Sequence, residues 1–67
     1  MTDADILDKL IEKAGSVKHF AEAMGVSRQT VWEWRERLTD KARIRVFLYA
    51  GENDFRLPKD FLNRAFT

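Results

Sequence analysis

Two glycine stops, each followed closely by a serine, set the terms on which this chain can fold: Gly15-Ser16 and Gly25-Val26-Ser27. Glycine accepts the left-handed backbone that ends a helix, and a serine side chain accepts the free N–H groups that begin the next one. The stretch between the stops holds one helix of roughly two turns. Upstream, Thr2 or Asp3 caps a first helix, and Thr2-x-x-Asp5 has the form of a capping box. Ile6, Leu7, Leu10, Ile11 and Ala14 recur there as one helical stripe. Between the glycines, Val17, Phe20, Ala21 and Met24 make an inner face. The single histidine, His19, stands three residues after the Ser16 cap, a surface or capping position. After Ser27, Val31, Trp34 and Leu38 repeat at helical spacing.

The second and third helices satisfy a tighter set of conditions. Two helices that cross at about 90–120° over a short turn need a small residue at the crossing. Ala21 supplies it, and Gly25, four positions later, supplies a turn residue tolerant of positive φ. Val26 plugs the wedge, and Val31 and Trp34 hold the third helix on the second. Arg28, Gln29, Trp32 and Glu33 are thereby left on the outward face. This combination predicts a helix-turn-helix over about 17–37.

Beyond Leu38 two readings stand. Thr39-Asp40 starts, and Gly51 stops, a fourth helix over about 40–50, with Pro58, Phe61, Leu62, Ala65 and Phe66 suggesting a fifth over about 58–66. The run from Arg43 to Tyr49 is also rich in β-formers, and Gly51-Glu52-Asn53-Asp54 reads as a hairpin turn. The expected fold is therefore all-α, a compact bundle of about five short helices. The alternative is α+β with a β-hairpin over 43–57. Sixty-seven residues make one domain, 1–67, with 52–67 as a packing or dimerisation segment.

Composition narrows the function classes. Cysteine is absent, which removes disulfides and Cys-based zinc sites, and one histidine leaves little for any other metal site. No metal or cofactor is expected. No nucleophile–base arrangement and no phosphate-binding glycine loop stand in the chain, so it is not read as an enzyme. No apolar run approaches the ~20 residues of a membrane span, and the acidic start MTDADILDKL is unlike a signal peptide; a cytoplasmic protein is expected. The net charge is only +1, but it is unevenly spread. Residues 1–16 carry Asp3, Asp5, Asp8 and Glu12 against two lysines, whereas residues 28–45 carry six bases against three acids. A solvated helix face accounts for such a run in an arbitrary protein; a basic middle also suits phosphate contact.

The segment from Val17 through Trp34, with Arg35-Glu36 behind it, resembles the helix-turn-helix of phage Cro and related repressors. It is most similar to the all-helical Cro branch and to Cro-like antitoxin and repressor proteins of prophages. The resemblance is specific over about 17–38 and weaker from Asp40 to Gly51; the hairpin alternative corresponds to the mixed Cro type. It implies an operator-binding transcriptional regulator that works as a two-fold dimer on double-stranded DNA. In such proteins the base-reading positions open the recognition helix, and they match Ser27, Arg28, Gln29 and Glu33.

Side-chain chemistry agrees. Arg28 can bind guanine O6 and N7, and Gln29 adenine N6 and N7. Glu33 either accepts from cytosine N4 or pairs with Arg37. Ser16, Lys18, Thr30, Arg35 and Arg43 are candidate phosphate contacts. Trp34 belongs to the core, while Trp32 either covers the junction with the fourth helix or lies on the sugar-phosphate backbone. Phe55, Leu57, Phe61 and Phe66 either close the core or form a homodimer surface, one weak enough to assemble only on DNA. Rival functions are a protein-interaction or phage-assembly module on the same scaffold, and an antitoxin-type autoregulator.

Overall fold

A computed structural model describes residues 2–63. The described residues are all-α, with four helices and no strand: α1 (Asp3–Ala14), α2 (Val17–Met24), α3 (Arg28–Glu36) and α4 (Asp40–Glu52).

Each helix begins on a hydroxyl cap. Thr2, Ser16, Ser27 and Thr39 accept from the backbone N–H of Asp5, His19, Thr30 and Ala42 respectively. At α1 the bond is reciprocated, because the Asp5 carboxylate accepts from the Thr2 N–H at 3.1 Å, completing the capping box. That bond, joined by the one with the Thr2 side chain, holds the Asp5 carboxyl below the ordinary aspartate range. His19 is exposed, with its Nδ1 3.1 Å from the Ser16 hydroxyl, a capping group as its position implied.

Both glycine stops hold positive φ, 108° at Gly15 and 71° at Gly25. After α2 the Gly25 N–H donates to the Glu22 carbonyl and the Val26 N–H to the Ala21 carbonyl. This pair of bonds is the Schellman arrangement, which uses up two otherwise orphaned carbonyls.

The stripes of the four helices meet in one core. Ile6, Leu7, Leu10, Phe20, Val31 and Val46 are fully buried, with Ala21, Met24, Trp34, Leu38, Ala42 and Ala50 around them. Phe20 meets Tyr49 edge-on, with centroids 5.2 Å apart, so α2 is keyed to α4 by an aromatic pair.

The 43–57 hairpin is not formed. Ala42, Arg43, Val46 and Ala50 are buried while Ile44, Arg45, Phe47 and Leu48 are exposed, a helical and not an alternating rhythm. The β-forming side chains are tolerated because Thr39 caps the helix and its buried rows fit the core. The expected fifth helix is replaced, as far as residue 63, by turns after Pro58, including a bond from the Phe61 N–H to the Pro58 carbonyl. Ala65 and Phe66 lie outside the described residues. Phe61 is 1% exposed and closes the core, which removes it from the dimer candidates; Phe55 and Leu57 are half-buried against the same core.

Candidate nucleic-acid interface

The outward face of α3 is built by elimination. Val31 and Trp34 turn inward on one side of a nine-residue helix, so Arg28, Gln29, Trp32, Glu33 and Glu36 must turn outward, and all five are exposed. Arg28 and Gln29 occupy the first turn, beside the N–H groups at the positive end of the helix dipole. Neither makes a hydrogen bond or ion pair with another described residue. Glu33 is likewise exposed and forms no ion pair with Arg37. Ser27 is committed in part: its Oγ accepts from the Thr30 N–H at 3.1 Å and lies 3.0 Å from the Thr30 hydroxyl. It remains exposed at the helix start.

The helix that presents this face is in contact with α2. Ala21 is buried on the inner face of α2, and Gly25 in the left-handed conformation ends that helix. An unforeseen brace holds the turn from behind: the Arg45 guanidinium donates to the Met24 carbonyl at the end of α2. A cation on the carbonyl end of a helix is favourable both as a cap and against the dipole.

The five candidate phosphate contacts separate into three groups. Lys18 is exposed in the first turn of α2, near the Ser16 cap, and Thr30 is half-buried in the first turn of α3. Arg35 is bound to Asp8 through two bonds, Nε–Oδ1 at 2.7 Å and Nη2–Oδ2 at 3.0 Å, so α1 already holds its fork. The bond to Asp8 raises the guanidinium pKa further. Arg43 is a correction. It is 6% exposed and donates to both Asp3 carboxylate oxygens and to the Phe61 carbonyl. Its residue position faces inward on α4, so it holds the core together and does not reach a phosphate.

Trp32 is the residue most changed by the tertiary structure. It is 48% exposed in the middle of the α3 face, with the Arg35 guanidinium 5.3 Å from its ring centroid. An indole held by a cation offers a flat apolar surface beside Gln29 and Glu33. The sequence signal for it was present, since 29, 32, 33 and 36 share one helical face.

Among the described residues no group of three His, Cys, Asp or Glu side chains is placed to hold a metal ion. No described helix is long and apolar enough to cross a membrane. Comparison with protein-family models, with curated proteins and with solved structures gives no match to this chain.

Proposed function

We propose that this chain is a sequence-specific, double-stranded DNA-binding transcriptional regulator whose α2–α3 pair is a helix-turn-helix with α3 entering the major groove. One observation carries the reading: two long polar side chains, Arg28 and Gln29, stand exposed and unpartnered at the start of a helix that follows a left-handed glycine turn. That end of the second helix is the one that meets base edges in helix-turn-helix proteins. Arg28 reads guanine and Gln29 adenine, each as a bidentate donor or donor–acceptor pair. Ser27 and Glu33 complete the base-facing set, and Trp32 adds apolar contact suited to a thymine methyl group. Lys18, Thr30 and the N-terminus of α2 at Ser16 meet the phosphates, and Arg35 joins them by exchanging Asp8 for a phosphate oxygen. The similarity over 17–38 makes a Cro-like phage or prophage repressor, working in the cytoplasm, the specific form of this proposal.

Glu33 and Glu36 place two acids on the same face, so non-specific attraction is modest and base reading must contribute much of the affinity. Selection of bound sequences from a random duplex pool tests the proposal. A defined, enriched half-site supports it. Failure to enrich, with no gel shift at low salt, refutes it and leaves a protein-interaction module on the same scaffold.

A further inference from the structure

Among the described residues four large hydrophobic side chains are exposed, and Trp32 alone of them lies outside α4. It stands in the middle of α3, with Arg28 and Gln29 one turn before it and Arg35 and Glu36 one turn after. A turn of about 100° per residue sets Trp32 about 40° round the helix axis from Arg28 and about 60° from Gln29. It lies on the arc between them, about 4–6 Å further along. The three side chains share one outward strip.

The indole is not left loose on that strip. The Arg35 guanidinium lies over it, 5.3 Å from the ring centroid. The same guanidinium is tied to α1 by its two bonds to Asp8, at 2.7 and 3.0 Å. Asp8, Arg35 and Trp32 thus form a chain from the first helix to the outward face of the third. Folding gains little from it, since both charged side chains of the bridge are well exposed and the indole buries only about half its surface. What the chain achieves is a large apolar side chain held in one orientation, which a partner can meet without first ordering it.

Neighbouring charge decides what that surface meets. Glu36 is exposed one turn beyond the indole, and its carboxylate repels phosphate oxygens, so the sugar-phosphate backbone is a poor partner here. The major groove offers a better one. Its apolar projection is the methyl group at C5 of thymine, and 5-methylcytosine carries the same group in the same place.

We propose that Trp32 is a specificity-determining residue selecting a C5-methylated pyrimidine, with Arg35 as its positioning residue and Asp8 holding Arg35. At about 3.4 Å per base pair, the methyl group lies one or two base pairs beyond those met by Arg28 and Gln29. The inference rests on the DNA-binding reading and extends it from a general apolar contact to a defined chemical group in a defined register. The guanidinium keeps the indole beneath it whether its fork holds Asp8 or a phosphate oxygen.

Replacing single groups in the DNA tests it. Each thymine of the selected site is changed in turn to uracil, which lacks only the methyl, and binding of the full chain is measured by fluorescence anisotropy. At one position per half-site uracil should weaken binding about fourfold, the worth of one buried methyl group. With cytosine placed there, methylation at C5 should strengthen binding by the same factor. Trp32→Ala should bind the thymine and uracil sites alike. Arg35→Gln should reduce the preference to about twofold, and Arg35→Lys, which keeps a cation for the ring, should retain more of it. This ratio, unlike the affinity, does not respond to a general loss of stability. In the free protein, without DNA, the Arg35 side-chain N–H signals should be shifted upfield by the indole ring current, and Asp8→Asn should lessen that shift. A selected site that tolerates uracil at every thymine, or a methyl preference that survives Trp32→Ala, overturns the proposal and leaves the DNA-binding reading standing. An unshifted Arg35 signal, or a preference unchanged in Arg35→Gln, overturns the positioning chain. A chain that selects no site at all fails at the DNA-binding reading instead.

Discussion

Replacing Asp3 by asparagine should damage this protein more than removing the arginine it pairs with. Arg43 sits with its side chain 7% exposed, its guanidinium 2.7 Å from Asp3 and 4.9 Å from the centre of the Phe61 ring. Its Nε has no hydrogen-bond partner, so the Asp3 carboxylate supplies most of what compensates a cation taken out of water. Breaking a fully buried pair from one side costs about 3–5 kcal/mol, and an exposed pair is worth about 0–1 kcal/mol. The Asp3 side chain is 25% exposed, which lets water approach and places Asp3→Asn between these limits, at about 2 kcal/mol. Arg43→Met removes the buried charge itself and keeps an apolar stem on Phe61. The carboxylate left behind is partly solvated in the first turn of α1, where the helix dipole favours it. That change should cost no more than about 1 kcal/mol. For a domain of this size about 2 kcal/mol lowers Tm by roughly 8–16 °C, readily seen by circular dichroism. Asp8→Asn, which breaks the more exposed bridge to Arg35, is the control and should cost under about 1 kcal/mol. If Arg43→Met proves the more damaging change, or Asp3→Asn is no worse than Asp8→Asn, desolvation of the guanidinium does not govern this corner of the fold.

Other outcomes follow from the same geometry. Gly25→Ala should cost about 1–2 kcal/mol in urea unfolding, because φ there is 71° while the nearest atom to a new Cβ is 3.9 Å away, so strain and not crowding sets the loss; Gly25→Asn should recover part of it. Arg28→Ala and Gln29→Ala should each weaken binding to the selected site by about 1–3 kcal/mol and relax it at one base pair, with Tm unchanged; two variants that bind the wild-type site normally would refute the recognition assignment. The Asp5 carboxyl is held below its unfolded value of about 3.9, so its stabilising contribution is complete above that value and disappears as pH falls through the folded one. The stability gap between the protein and its Asp5→Asn variant should accordingly be open near about pH 6 and closed near about pH 2, and a gap that does not change would remove the capping box as its cause.

Much of this molecule is written in short-range signals. Helix starts at Ser16 and Ser27 and stops at Gly15 and Gly25 are local matters of one hydroxyl or one missing Cβ, and the sequence alone locates them, whereas it leaves the first cap between Thr2 and Asp3 and the segment after Thr39 between helix and hairpin. The outward face of α3 is equally local, because burying Val31 and Trp34 dictates where Arg28, Gln29 and Glu33 point. What the tertiary structure decided are the partners of residues whose local pattern is ambiguous. Arg43 and Arg45 lie two apart, yet one is buried on Asp3 and the other braces the end of α2. Residues 43–49 satisfy β propensity and helical periodicity alike, and only the fit of Val46 and Ala50 against the core selects the helix. Phe61 is drawn inward while Phe47 is left outside, although both are phenylalanines in apolar surroundings. The physical reason is range: caps and turns are settled by atoms within a few residues, whereas burial and pairing depend on surfaces brought together from distant parts of the chain.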